Sequence, residues 1–254
     1  MKLLENFAVQ LWSVRDVTAN DFAGTLKKLA EMGYSGIEFA GYGGLSAQEM
    51  KDVLTANKLT PIGAHIGLDR LTGGLDEEIA YHKVLGTEYL VCPNSKIKTK
   101  DDTLELAKTL TPVVKKITDA GLKFAYHNHA HEFEKCCAGS SAALCGEYLL
   151  DSLFEALPSE AIMELDLFWA HFAGADIYSY MEKHKSRLKL VHVKQIDKDK
   201  NCVDLDQGII DYRDVIIKAK ALGVEHFILE QEAFAVSSMV SVKNDIDYIN
   251  KLEG

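Results

Sequence analysis

Short apolar runs recur along the chain, and each carries or ends in a polar residue that a buried strand would not need for packing. The clearest is Leu188 to Asp197, where Leu188, Leu190 and Val191 lead into His192, Lys194, Gln195 and Asp197. Side chains alternate faces along a strand, so His192 and Lys194 point the same way. The pattern returns at Val9–Trp12, Gly36–Phe39, Pro61–His65, Phe124–His129, Ile162–Asp166 and Phe227–Glu232. A buried strand that turns polar at its C-terminal end is what an α/β enzyme shows where its site opens. One shared site accounts for all seven runs.

Between the runs, apolar residues fall three and four apart, the spacing of a helix buried along one side. A first strand, Phe7 to Trp12, precedes a helix opened by Asp21, with Phe22, Leu26, Leu29 and Ala30 on one face and Gly33 as C-cap. Strand two is Gly36 to Ala40. Ser46 then caps a helix from Ala47 to Lys58, and Glu49 three residues on completes a capping box. Strand three is Pro61 to Gly67, followed by a helix from Leu75 to Leu85 closed by Gly86. Strand four, Glu88 to Cys92, stops at Pro93, and a long helix from Lys100 to Ala120 is expected to bend or break near Pro112. Strand five is Lys123 to His129, with an insertion Ala130 to Ser141 before a helix Ala142 to Ala156. Strand six, Ala161 to Leu167, runs into a loop around Trp169 to Gly174, then a helix Ile177 to His184. Strand seven is Leu188 to Val193, with a helix Asp211 to Leu222 and Gly223 as its C-cap. Strand eight is His226 to Glu230, with a final helix Ser238 to Leu252.

Eight strand–helix units predict a (β/α)8 TIM barrel, a single domain over residues 1–254. A doubly wound open sheet would carry a glycine-rich turn after strand one, but Leu11-Trp12-Ser13-Val14-Arg15 has no glycine, and neither G-x-G-x-x-G nor a P-loop occurs. Composition narrows the partners. The net charge of −10 makes duplex nucleic acid a poor match. Five cysteines, with no C-x-x-C, read as free thiols, and no apolar run reaches the roughly 18–20 residues of a membrane span. Met1-Lys2-Leu3-Leu4-Glu5 does not resemble a signal peptide, so a cytoplasmic protein is expected.

In a barrel the loops after the strands share one mouth. The strand ends bring His127, His129, Asp166, His192, Glu230 and Glu232 there, an imidazole and carboxylate set suited to Zn²⁺, Mn²⁺, Co²⁺ or Fe²⁺. Lys194 shares a face with His192 and reads either as a stabiliser of an enolate or anionic oxygen, or as an ion-pair partner of Glu164. Glu38 and His65 are candidates for binding substrate hydroxyls, and Trp12 and Trp169 for an apolar wall against a sugar ring. His131 and Glu132 lie in the strand-five insertion and are within reach of the site. Arg15 and Lys96 are the candidates for an anionic group on the substrate.

Several short motifs in this order resemble the xylose-isomerase-like barrel superfamily and its bacterial sugar phosphate isomerase/epimerase members. They are Phe39-Ala40-Gly41-Tyr42-Gly43 with Ser46-Ala47, Tyr126-His127-Asn128-His129, Leu165-Asp166-Leu167-Phe168-Trp169, Val191-His192-Val193-Lys194 and Glu230-Gln231-Glu232. The resemblance implies one divalent metal held from strands five to eight, here by His127, Asp166, His192 and Glu230; Mn²⁺ or Zn²⁺ comes first, with Co²⁺, Mg²⁺ or Fe²⁺ also accommodated. His127 is a departure, since ketose epimerases of the superfamily have a glutamate at that place. Lyase relatives carry a histidine where His129 stands, which makes His129 the first choice of general base, with Lys194 and Glu232 beside it as catalytic candidates. The implied activity is a metal-dependent isomerase or epimerase acting on a ketose or keto-sugar through a metal-stabilised enediolate. The alternative is a keto-sugar lyase or dehydratase, inosose dehydratase-like or cleaving 3-keto-glycosides. A non-catalytic sugar-binding subunit and a DNA-repair endonuclease are weaker readings. The expected partner is a small carbohydrate, with neither nucleic acid nor membrane, and oligomers are common for such barrels.

Overall fold

A computed structural model describes residues 3–135 and 146–252. Its centre is a closed barrel of eight parallel strands. In chain order these are β1 (Ala8–Gln10), β2 (Gly36–Phe39), β3 (Thr60–His65), β4 (Tyr89–Cys92), β5 (Lys123–His127), β6 (Ile162–Asp166), β7 (Leu188–Val193) and β8 (His226–Leu229). Each pairs with its neighbours in the chain, and β8 closes on β1 through Ala8 beside Ile228 and Val9 beside Leu229. Around it run α1 (Phe22–Met32), α2 (Ala47–Asn57), α3 (Leu75–Leu85), α4 (Lys100–Asp119), α5 (Leu149–Ala156), α6 (Ile177–His184), α7 (Tyr212–Ala221) and α8 (Ser238–Ile249). The eight units expected from periodicity are therefore present. Among the described residues, no helix is long and apolar enough to cross a membrane.

Strand alternation divides the core in two. Outward-facing residues such as Val9, Ile37, Phe124, Met163, Val191 and Leu229 pack with the helices into one large cluster. Inward-facing Ala8, Ile62, Tyr89, Val91, Ala125, Leu190 and Ile228 form a separate plug inside the barrel, with Ile162 against it. Such layers make a barrel interior a packed core and not a pore.

The differences from the sequence expectations lie mostly at strand ends. β1 stops at Gln10, whose side chain accepts the Trp12 N–H (3.0 Å) and turns Leu11–Val14 into a 3₁₀ helix. β6 stops at Asp166 for a similar reason: its Oδ1 accepts the Trp169 N–H at 2.8 Å, and Leu167–Phe172 is helical where a loop was expected. Likewise β5 ends at His127 and β3 at His65. α4 runs through Pro112 without a break. One proline removes a single N–H bond, while Leu106, Leu110, Val113, Val114 and Ile117 bury the helix on both sides of it. Leu68–Gly73 is an additional short helix, and Gln195–Ile196 with Cys202–Val203 an additional antiparallel ribbon. The helix expected from Ala142 begins at Leu149; residues 142–145, like Cys136, Cys137 and Cys145, lie outside the described residues. The capping box at Ser46 and Glu49 is formed as expected.

Candidate metal centre and active site

Two residues above the apolar plug, the same strands carry polar groups. Ala8 is followed by Gln10, Ala125 by His127, Ile162 by Glu164, Leu190 by His192 and Ile228 by Glu230. Glu38 and His65 complete this ring, and all are buried except His65, which is partly so. The room is made locally: a Cβ at Gly63 would stand 2.7 Å from Glu38 Oε1.

The ring is a connected network. Glu38 Oε2 accepts from Gln10 Nε2 (2.8 Å) and meets His192 Nε2 (2.8 Å) and His65 Nε2 (3.2 Å). Glu164 Oε2 meets His65 Nε2 (2.8 Å), His127 Nδ1 (3.1 Å) and His192 Nε2 (3.3 Å). His192 Nδ1 lies 3.3 Å from Glu230 Oε2. Burial opposes charge on each of these groups, and the pairing decides which keep it. Burial lowers the pKa of His65, but Glu38 and Glu164 outweigh it and hold the ring at about 10; His192 is raised by the same carboxylates. Glu164, which burial and Glu38 would raise, is brought to about 2 by the facing imidazoles. His127 goes the other way: burial and neighbouring His192 hold its pKa well below the ordinary value.

Two residues higher still come Trp12, His129, Asp166, Lys194 and Glu232. Lys194 is fully buried. Its Nζ lies 2.5 Å from Glu232 Oε1, 3.4 Å from Glu230 Oε2 and 3.8 Å from Asp166 Oδ2, over the Phe168 and Trp169 rings. The ion pair with Glu164 weighed from the sequence is not among these contacts; Glu164 spends its charge on the imidazoles. Burial raises Asp166 to about 6 against the pull of Lys194.

Two overlapping sets of donors have atoms within 4.8 Å of one another: His127, Asp166, His192 and Glu230, and one step deeper His65, His127, Glu164 and His192. The first set is the one expected from the sequence. Whether a cation suits it is tested by the atoms left over. Asp166 Oδ2, like Glu164 Oε1, is buried without a hydrogen bond; the Lys194 ammonium reaches Asp166 Oδ2 only at 3.8 Å, and a buried carboxylate oxygen without a hydrogen bond is costly unless a further donor or cation meets it. Two imidazoles and two carboxylates are also ordinary donors for Zn²⁺ or Mn²⁺. The residues fit a divalent ion.

Above the donors opens a cavity of about 410 Å³, lined by Trp12, His65, His127, His129, Glu230 and Glu232 among others. Trp12 is half exposed at its rim (49%). His129 presents a buried Nδ1 with no partner, and burial lowers its pKa to about 4, so the ring is neutral at physiological pH. Glu38 and Trp169 do not line the cavity. Glu38 holds imidazoles beneath it, and Trp169 stacks near His129, ring centres 5.6 Å apart. Glu132 is buried and accepts the His129 N–H (2.8 Å) and the Tyr126 hydroxyl (2.9 Å), fixing the turn after β5; His131 bonds to the Ser95 carbonyl.

Three supporting residues were not singled out from the sequence as site residues: Gln10, Asn128 and Tyr212. Asn128 Oδ1 accepts the Asp166 N–H (3.0 Å), and the Tyr212 hydroxyl bonds both backbone groups of Lys194 (2.8 and 2.6 Å). Gln10 had a signal, standing two residues before Trp12 on an inward face; Asn128 and Tyr212 act through contacts no local pattern displays.

A family model described as a xylose isomerase-like TIM barrel matches residues 26–252. No curated protein matches the sequence. Among solved structures, a sugar phosphate isomerase/epimerase from Parabacteroides distasonis superposes with a TM-score of 0.84 at 22% identity, over 97% of this chain and 98% of its own. A probable 3-DHS dehydratase from Bacillus anthracis gives 0.75 at 13% identity, over 98% and 100%. The IolI protein, solved with a zinc atom bound, gives 0.73 at 14% identity, over the full length of both. At these identities the likeness is one of fold.

Proposed function

Because the chain belongs to the xylose isomerase-like TIM barrel family, we propose that it is a divalent-metal-dependent sugar isomerase or epimerase that moves a proton beside the carbonyl of a ketose or keto-sugar. The observation that carries this reading is the convergence of His127, Asp166, His192 and Glu230 on one point beneath a cavity, with Asp166 Oδ2 buried and lacking a hydrogen bond. An ion held by these four, Mn²⁺ or Zn²⁺ first, would supply Lewis acidity toward a substrate carbonyl or hydroxyl oxygen.

The protein's own groups divide the remaining work. His129, neutral and lining the cavity, takes the proton from the carbon next to the carbonyl. Lys194 holds a fixed positive charge beside the place where negative charge develops, and keeps Glu232 oriented. Glu232 lines the cavity as a carboxylate; it first accepts a proton from a substrate hydroxyl or from solvent and then gives it to carbon or oxygen. Return at the neighbouring carbon isomerises the sugar; return on the opposite face epimerises it. Trp12 shields one side of the ring, and His65 donates to a substrate hydroxyl from the floor.

A second reading, a keto-sugar lyase or dehydratase, is favoured by one observation. Of the cavity's proton-transfer groups, His129 is free of an ion pair whereas Glu232 is bound to Lys194 at 2.5 Å, and one base suffices for elimination of a β-substituent. Deuterium exchange separates the readings. Metal-loaded protein in D₂O is followed by NMR with ketohexoses, keto-inositols and 3-keto-glycosides. Exchange with the skeleton retained supports the isomerase or epimerase, and an unsaturated ketone supports the lyase. Absence of exchange on every candidate, in protein shown by elemental analysis to hold metal, overturns the enzymatic reading.

A further inference from the structure

We infer that the ligand of this site is an uncharged sugar and not a sugar phosphate. The inference rests on the proposed keto-sugar reading and narrows its substrate class. A phosphate ester needs positive charge in surplus, and three features deny it here.

The first is the balance of fixed charge. Five carboxylates are gathered in and around the cavity: Glu230 and Glu232 line it, and Glu38, Glu164 and Asp166 join the ion-pair network of the buried groups around it. Against them stand the Lys194 ammonium, His65 even when counted as imidazolium, and either His192 counted likewise or, with His192 as a neutral ligand, one divalent ion. In both cases these carry at least one charge less than the carboxylates. A cleft lined by one sign of charge and walled by low-dielectric protein repels ions of that sign.

The second is the disposition of the cations that the sequence offered for an anionic group. The Arg15 guanidinium donates from Nη1 to the Trp12 carbonyl (2.7 Å) and lies 4.7 Å over the Trp12 ring. It braces the cavity rim and does not line it. Lys96 is exposed and also absent from the lining. Residues 136–145, outside the described part of the chain, include no lysine or arginine in sequence.

The third is that at four helix starts, after β1, β6, β7 and β8, backbone N–H groups of the kind that cradle phosphate in barrels are already taken, whereas Leu68–Gly73 and Leu149–Ala156 start without a side-chain cap. After β1 the Gln10 side chain accepts the Trp12 N–H (3.0 Å), and after β6 Asp166 accepts that of Trp169 (2.8 Å). After β7 Asp211 accepts those of Arg213 and Asp214 (3.0 and 3.2 Å), and after β8 Ser237 accepts that of Val240 (3.3 Å). Two of these caps are themselves carboxylates. What the rim presents instead is the half-exposed face of Trp12, suited to the C–H face of a neutral ring.

The test uses matched pairs: fructose with fructose 6-phosphate, tagatose with tagatose 6-phosphate, and inorganic phosphate alone. Binding to metal-loaded protein is read by ligand-observed NMR, separately from C–H exchange. The expected result is that the free sugars bind with an affinity insensitive to salt, and that their phosphates bind about tenfold or more weakly, as like-charge contact requires. Glu232→Gln removes one repelling carboxylate and is expected to narrow that gap. Tighter binding of the phosphates, or of inorganic phosphate at the same site, overturns the inference and leaves the metal-sugar reading standing. Free sugar that binds without exchange sinks the enzymatic reading and leaves this inference intact. Binding of no member of any pair counts against both.

Discussion

Inside the barrel, two rings of side chains sit one strand step apart and obey opposite rules. The lower ring is made of Ala8, Ile62, Tyr89, Val91, Ala125, Leu190 and Ile228, which only fill space. The upper ring, Gln10, Glu38, His65, His127, Glu164, His192 and Glu230, holds charge that is almost wholly buried, with His65, His127 and Glu230 facing the cavity. Both are borne by the same strands, so backbone geometry does not distinguish them. The lower ring gains free energy from burial itself, about 25 cal/mol per Å² of apolar surface. The upper ring loses solvation on burial and recovers it only through specific partners. A barrel can therefore hold a reactive centre because an apolar floor closes it and supplies stability that the charged ring does not.

Substitutions in the two rings should separate stability from function. Asp166→Ala, in the donor set, is expected to lower C–H exchange by about three orders of magnitude or more, corresponding to the several kcal/mol a Lewis acid contributes, with little change in circular dichroism. Leu190→Ala, in the plug, should instead cost about 2–5 kcal/mol of stability in denaturant melts while the folded fraction keeps its rate. Equal loss of activity in both variants would erase the distinction between the rings.

pH should move only the upper ring. His65 is held at about 10, above its ordinary 6.5, so in metal-free protein its ion pairs contribute fully below pH 6.5 and are lost as pH rises toward 10. Glu164, held at about 2 against 4.5, contributes above pH 4.5 and loses its share as pH falls toward 2. Chemical denaturation across this range should show stability falling at both ends, with Leu190→Ala displacing the curve downward without changing its shape.

Chelation is expected to lower the melting midpoint of metal-loaded protein by about 5–10 °C, since an ion at a hundred times its Kd contributes about 2.7 kcal/mol. A midpoint indifferent to chelator would remove the case for an ion in the upper ring. Glu164→Gln leaves the donor set intact but unpins His127 and His192, and should weaken metal binding by about 10–100-fold in a competition titration. That is the smallest of these effects, and it measures how far the deeper carboxylate serves the donors above it.

The barrel itself was legible because strand and helix periods, capping residues such as Ser46 with Glu49, and C-cap glycines such as Gly33 are local signals. Legible too was the direction of the site, since His, Glu and Asp recur at or just past the strands' C-terminal ends. The turns that end β1 and β6 were less visible, because Gln10 and Asp166 act there as caps and look like strand residues in a window of sequence. The ion pair of Lys194 with Glu164, one of the two roles the sequence offered for it, is not formed, for a related reason. Glu164 and Glu232 both stand within plausible reach along a strand pattern, and only the tilt of neighbouring strands puts the ammonium beside Glu232, Glu230 and Asp166.

Alternation along each strand, by itself, determined which residues of this protein enter the barrel and at which end their polarity begins, because side-chain direction has a period of two and needs no distant partner. Which imidazole meets which carboxylate was decided by closure of the sheet. His192 meets Glu38 across 154 residues of chain, and Gln10 reaches the same oxygen from the first strand. Those contacts depend on barrel curvature and strand stagger, which arise from all eight strands together.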